Sequence, residues 1–480
     1  MKYQWTVLTV TSVGVLMAGI DSRIVIVGLP QVAAALGADA EQAIWFTQSY
    51  TLGSTIALLL IGRVTDMFGR VKIYNIGFAV FTLGSALTSL SLNPEMVIVF
   101  RCLQGLGSAM LFTNSVALIA DSTPSEELGL SLGVNQLSFR FGAMAGLTLS
   151  GVILAVLDWR ALFYINIPIG IFGTVWAHRR LRETAQMEKG APIDWIGFAT
   201  FTTSISSFLF ALTFAAYGFG EERFVFLLSV ISVATFLIFV YQERRTPHPL
   251  LDLGLLKIRE FTGGVVAQLL NAIAWGAVIL LLSLYFELVQ GLSPFDAGIR
   301  ILPFELFFLL FGPLSGRYSD RYGPLPFVTT GLAVTSVSLL LLSTTKPSTP
   351  YLDLVAYMGL MGAGTGLFSS PNMSSIMGSV PPNRRGIASA FRATFFNLGF
   401  TISLNVAILI MASIMPYSVV SSIISSISPT GISTVDRNLF SAALDRTYLW
   451  MAGVNTLAIL PSIMRGKRVG RSAHYTPTLE

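Results

Sequence analysis

Apolar residues in this chain fall in continuous blocks of about twenty, divided by short polar connections, and that spacing admits few folds. A helix of about 20 residues crosses a hydrocarbon core of about 30 Å. The blocks are unbroken rather than alternating, so they read as spanning helices and not as barrel strands. Charged residues make up only 11% of the 480, and mean hydropathy is +0.70. A soluble domain carries about 25% charged residues, because its surface must face water. The chain is therefore expected to be an all-α protein embedded in the lipid bilayer.

Fourteen blocks can be drawn, the first over residues 5–28 and the last over 447–464. The first is longer than the apolar region of a signal peptide and contains Asp21 and Arg23. With the N-terminus placed in the cytoplasm, 20 of the 30 Lys and Arg fall on that side, 5 on the other and 5 inside the blocks. This bias follows the positive-inside rule and puts both termini in the cytoplasm. It also accounts for the pI near 9.3, so no nucleic-acid partner is implied. A lone cysteine, Cys102, excludes a disulfide framework. His178, His248 and His474 all lie in connections or the tail, so no metal site and no cofactor are expected. An enzyme is disfavoured, since the blocks hold no nucleophile with a plausible base, and an ATP-driven pump lacks its GxxxxGK[ST] loop.

The chain also repeats itself. Gly62, Asp66 and Gly69 in GRVTDMFGRVK recur 254 residues later as Gly316, Asp320 and Gly323 in GRYSDRYGPLP. Further on, Gly105, Gly107, Pro124, Gly129 and Gly142 recur 257 residues later as Gly362, Gly364, Pro381, Gly386 and Gly399. Residues 1–177 and 261–480 then read as equivalent six-helix units, the second ending in a cytoplasmic tail. Residues 178–260 form a linker with two additional spanning helices. Two such halves around a cavity are the architecture of alternating-access transporters.

These segments carry a family resemblance. GRVTDMFGRVK resembles the loop 2–3 motif of the major facilitator superfamily, and RCLQGLGSA (Arg101 to Ala109) resembles its fourth-span motif. DSRIVIVGLP, WRALFYINIPIG and LSPFDAGIRILP are similar to segments of its fourteen-helix drug:proton antiporter branch. The resemblance implies two six-helix bundles plus two inserted helices in the cell membrane, working as a monomer on protons and a small-molecule substrate. It implies a cytoplasmic latch at Gly62, Asp66, Gly69, Arg70, Asp121, Gly316, Asp320 and Gly323. Gly62 and Gly69 would allow a tight turn and close helix approach, Asp66 would meet the positive end of a helix in the other half, and Arg70 would pair with an acid such as Asp121. The second copy is weaker, because Pro324 and Pro326 replace its trailing basic residues.

Ionisable groups inside spans are costly and usually serve a function. Arg101 matches the family position that couples proton movement to substrate, and Asp21, matching a membrane-embedded aspartate, is its natural partner. A static ion pair between spans is the bland alternative. Glu305 in the tenth span is the best second protonatable site, against the alternative of a satisfied carboxylate within the bundle. Glu287, near the outer end of the ninth, is expected at the interface.

Arg23 departs from the family, which usually has threonine there. At about 100° per residue, Asp21 and Arg23 point to nearly opposite sides of one helix. Arg23 either snorkels to the outer interface, about 10 Å from Pro30, or lines the cavity and binds an anion. Arg140 and Arg392, in repeat-related spans, either face the cavity or snorkel. Gln104, Asn114, Trp275 and Asn372 are further cavity candidates. The fifth span keeps the antiporter-type glycines Gly142, Gly146 and Gly151, but Leu147 stands where proline is expected and Ser150 where a glycine is expected. The resulting expectation is proton-coupled efflux of hydrophobic or amphipathic small molecules, with export of an organic anion or metabolite through Arg23 as the alternative.

Overall fold

The computed structural model describes residues 3–124, 128–183, 194–217, 222–246, 249–251, 253–380, 385–415 and 434–465. Within these, the side chains of residues 40, 59, 66, 120, 128–130, 320, 385–386 and 434–436 are outside the described set. Among the described residues all regular structure is helical. The long helices, in order, are Tyr3–Val27 (α1), Ala40–Phe68 (α2), Arg70–Ser89 (α3), Pro94–Ser122 (α4), Leu128–Val156 (α5), Asn166–Arg180 (α6) and Trp195–Tyr217 (α7). They continue with Glu222–Arg245 (α8), Arg259–Trp275 (α9), Pro294–Tyr322 (α10), Pro324–Leu342 (α11), Tyr351–Gly378 (α12), Arg385–Ala412 (α13) and Thr434–Leu457 (α14).

Among the described residues twelve spans are long and apolar enough to cross a membrane, and α2 and α14 are not among them. α14 is the more polar, carrying Asp436, Arg437, Asp445 and Arg446, whereas α2 includes residues outside the described set. The polar residues of α14 also explain why it reaches back to Thr434, well before the apolar block at 447–464 from which it was expected. At the opposite extreme, α8 shows its apolar side chains outward, with Phe226 70% and Leu237 62% exposed. In a membrane protein that surface faces lipid.

Helix packing repeats along the chain. The pairs α1–α5, α2–α4, α3–α4, α3–α6 and α1–α6 all pack together, and each recurs eight helices later as α9–α13, α10–α12, α11–α12, α11–α14 and α9–α14. The same backbone approach underlies one of these repeats. A side chain at Gly105 would strike the Tyr50 carbonyl, and one at Gly362 would strike the Phe304 carbonyl. The inserted pair α7 and α8 pack on each other, and α7 also lies on α13 and α2.

Two helix pairs, α5–α10 and α2–α13, make most of the contact between the halves, with smaller contacts of α1 and α4. On α5, Gly142 and Gly146 admit the Leu16 and Ile20 carbonyls of α1, while Gly151 admits the Phe295 backbone of α10. Gly298 of α10 in turn seats the Leu147 carbonyl. Interhelical contact in lipid depends on such close packing, since apolar surface alone gains little there. One buried cluster gathers residues of both halves at this end, including Ile26, Val27, Leu147, Val278, Leu281, Ala297 and Ile301. Gly133, near the other end of α5, has nothing within 4 Å of an added side chain.

The ninth span is broken. Beyond Trp275 the chain continues as a short helix, Val278–Leu284, and then a π-helical turn, Tyr285–Val289. At the break Gly276 lies against Phe400 and Ser403, and the backbone N–H of Ala277 donates to Ser403 Oγ at 2.9 Å. A freed backbone group within a membrane needs such a partner.

Gly146→Val should force the Ile20 backbone of α1 away, so its melting temperature in detergent should fall clearly, by a loss of about 1–3 kcal/mol. Gly133→Val, with open space, should melt with the unaltered protein; equal melting of both variants would contradict this packing.

Candidate functional site

Two buried charge clusters lie on opposite faces of α1. The first is internal to the N-terminal half. Asp21 Oδ2 meets Arg101 Nη1 of α4 at 2.6 Å, and both side chains are essentially inaccessible. Asp21 Oδ1 accepts from Gln104 Nε2 at 2.8 Å and from Asn166 Nδ2 of α6 at 2.9 Å. Arg101 also donates to Gln104 Oε1 at 2.7 Å and, through Nε, to the Phe46 carbonyl of α2 at 3.0 Å. The Tyr50 ring lies 4.5 Å from its guanidinium carbon. Asn166 is held in turn by Ser85 at 3.0 Å, and Ser85 donates to the Phe163 carbonyl at 3.0 Å. Buried charges persist when paired and fully hydrogen-bonded, and this carboxylate has three donors.

The second cluster crosses the halves. Glu305 of α10 is 1% exposed and lies 3.7 Å from Arg23 Nη2 and 3.4 Å from Arg140 Nη1 of α5. Arg23 rests over the Trp275 ring at 5.8 Å, and Arg140 over the Phe308 ring at 3.5 Å. Snorkelling of Arg23 is thereby corrected. It is 4% exposed and turned inward, because a carboxylate and an indole face it across the interface. The half-turn between Asp21 and Arg23 gives α1 one charge for its own half and the other for the opposite half.

A cavity opens beside the second cluster, lined by Arg140, by Gln268, Asn271 and Trp275 of α9, by Phe308, by Thr365, Phe368, Ser369 and Asn372 of α12, and by Arg392 and Phe396 of α13. Of the expected cavity residues, Trp275 and Asn372 are there. Gln104 is not, because it serves Asp21 and Arg101. Neither is Asn114, which is buried in α4 and donates to the Met110 carbonyl at 2.8 Å. Arg23 sits behind Trp275 and is already engaged by Glu305. Glu287 is not interfacial either: it is 6% exposed in the π-helical turn and accepts from Ser283 at 2.7 Å, with Gln31 as a second partner.

At the repeated loops, Gly69 and Gly323 both have positive φ, 97° and 83°, which side-chain-bearing residues rarely adopt. Each forms a sharp junction between consecutive helices. Gly62 makes no close approach, having open space around it, while Gly316 faces Ser370 within its own half. Arg70 pairs with Asp121, again within one half. The side chains of Asp66 and Asp320 lie outside the described residues. Glu183, unforeseen in the sequence, accepts from the Val71 backbone N–H at 2.9 Å, at the positive end of α3. Asn166 and Ser85 were likewise missed; the only signal was a single amide in the apolar run WRALFYINIPIG. Among the described residues no group of three His, Cys, Asp or Glu is placed to hold a metal.

Two packed halves, charges buried in lipid-spanning helices and a polar cavity at their junction define a polytopic membrane transporter of small molecules. Residues 11–404 match the model of the Major Facilitator Superfamily, and the chain belongs to that family. It is 31% identical over 402 residues to the riboflavin transporter RibZ of Clostridioides difficile, covering 84% of this chain and 87% of that protein. It is 27% identical over 396 residues to the multidrug efflux pump LfrA of Mycolicibacterium smegmatis, covering 82% and 78%. A crystal structure of the human organic anion transporter MFSD10 superposes with a TM-score of 0.67 at 15% identity, over 96% of this chain and 99% of that one, which speaks for the fold alone.

Glu305→Gln leaves two guanidiniums without a counter-charge, whereas Arg140→Gln leaves Glu305 still paired with Arg23. The first should cost about 3–5 kcal/mol and the second less. Melting in detergent should therefore rank Glu305→Gln below Arg140→Gln; the reverse order would show that the three-way pairing does not hold the halves.

Proposed function

We propose that the chain is a proton-coupled exporter of hydrophobic or amphipathic small molecules that works by alternating access. The observation carrying this reading is the Asp21–Arg101 centre, sealed inside one half on the face of α1 opposite the Arg23–Glu305–Arg140 cluster that crosses to the other half. Relatives named for multidrug efflux support the substrate class.

In this reading residues 1–177 and 261–480 are the two rocking bundles, residues 178–260 supply the two inserted helices, and all fourteen long helices span the cell membrane. The termini and both repeated loops face the cytoplasm. The tight contact at Gly151 and Phe295 then closes the outer side, and the described conformation opens inward. The cytoplasmic latch of Asp66, Arg70, Asp121 and Asp320 engages when the bundles rock the other way. The protein acts as a monomer.

A proton taken up by Asp21 removes the charge that Arg101, Gln104 and Asn166 now hold. Arg101 is then free to turn, and α1 moves relative to α4 and α6. Because Arg23 lies on the same helix, that movement reaches Glu305 across the interface. Glu305 is the second proton carrier: neutralising it leaves Arg23 and Arg140 facing each other without their shared counter-ion, which favours separation of the halves. Each proton thus acts on one of the two contact systems that α1 joins.

Asp21→Asn is close in shape but cannot carry the proton. In everted vesicles, uphill transport driven by a pH gradient should fall by about tenfold or more, while substrate binding without a gradient is kept. Normal pH-driven accumulation by this variant would remove Asp21 from the coupling machinery.

A further inference from the structure

We infer that Arg392 is the binding group for the acid end of the substrate, and that the cavity prefers anionic aromatic molecules over neutral or cationic ones. This rests on the transport reading above and narrows its substrate class.

Arg392 projects from α13 into the cavity between the halves. Its Nε is fully buried without a hydrogen-bond partner, and among the described residues no carboxylate pairs with its guanidinium. The other two arginines of the region have an answer: Arg23 and Arg140 share Glu305. Two of these guanidiniums thus share one carboxylate, and the third, Arg392, lines the cavity beside Arg140 with no carboxylate among the lining residues. Asp21 does not redress the balance, because it is enclosed with Arg101 on the far face of α1.

An uncompensated charge among membrane helices is unfavourable until an opposite charge arrives. Arginine is suited to a carboxylate, which it holds through two parallel hydrogen bonds. Beside it the wall is aromatic. The Trp275 ring packs 6.3 Å from Phe396 and 6.1 Å from Phe400, giving a flat apolar body a surface to lie on. Asn372 uses its amide N–H on the Gly264 carbonyl and leaves Oδ1 without a partner. A ring N–H or hydroxyl on the ligand would complete it. The chemistry of the site thus matches a planar aromatic acid carrying a donor, and a cationic amphiphile would meet no carboxylate in the lining.

The test compares three probes of one shape: 2-naphthoate, the uncharged 2-naphthamide and the cation 2-naphthylmethylammonium. Binding is measured by equilibrium dialysis against the protein in lipid nanodiscs, with empty nanodiscs subtracting partition into lipid. The unaltered protein should bind naphthoate about tenfold or more tightly than the amide, and the cation weakest. Arg392→Gln should abolish that ratio while leaving amide binding in place, and Arg392→Lys should retain part of it. A ratio of one or less in the unaltered protein overturns the inference, as does a ratio unchanged in Arg392→Gln. Should that variant not survive purification, Arg392→Lys decides: a reduced ratio supports the assignment and an unchanged ratio overturns it. Efflux of the amide driven by a pH gradient, measured on the unaltered protein, separates the two claims. Its absence together with absent naphthoate efflux refutes proton-coupled export itself, whereas efflux without anion preference refutes only the role of Arg392.

Discussion

The charge pairing of α1 is the constraint on which the rest of this structure depends. Burying a lone carboxylate or guanidinium among spanning helices is costly, so each must find a partner and hold it. Asp21 finds three donors from α4 and α6, which ties the N-terminal half together around a polar centre. Arg23, two residues later, finds Glu305 in the other half. One helix therefore stabilises its own bundle with one face and binds the opposite bundle with the other. Whatever shifts the first pairing must be felt by the second.

Glycines set how near the bundles come. On α5, Gly142 and Gly146 draw α1 against it backbone to backbone, and Gly151 does the same for α10. The contact between halves is thus built at one end of α5 from small residues, and apolar side chains of both halves merge there into one cluster. At the other end Gly133 faces open space, and the Arg70–Asp121 pair stays within its own half. A contact of small residues has little interdigitation to undo, which suits surfaces that must part and meet again. Leu147, standing where the resemblance led to a proline, takes part in this seam through its carbonyl against Gly298. The junction is made without a proline at that position.

The fold was largely legible, because lipid imposes blocks of apolar residues and because the repeated glycines survive as visible markers. Legibility failed where a helix is wetted or paired. The acidic and basic residues in α14 hid its first turns, and the break in the ninth span depends on Ser403, more than a hundred residues away. At the site, periodicity separated Asp21 from Arg23 correctly, and resemblance joined Asp21 to Arg101. Periodicity alone does not say which neighbour a face meets, so it leaves Arg23 between the lipid interface and the cavity, whereas the packed helices pair it with Glu305. Asn166 and Ser85 escaped notice for a related reason: a small polar residue in an apolar run is common, and only its distance to Asp21 distinguishes this one.

The excess of positive charge bears on how transport and cycling are joined. A carrier that rocks between two openings must pass through a closed state in which the cavity loses its water. Arg392 would then be dehydrated without a counter-ion, and that penalty falls mainly on the empty carrier. An anionic substrate removes the penalty by supplying the missing charge, so closure becomes easier with cargo than without it. Glu305 works in the opposite sense: protonating it adds to the excess and makes an unloaded closure harder still. A bound anion lowers the positive excess and a proton on Glu305 raises it, so through this local charge balance each strengthens the binding of the other. The opposition that an exchanger requires must then come from conformation, through the movement of α1 between its two pairings, rather than from the count of arginines and carboxylates beside the cavity.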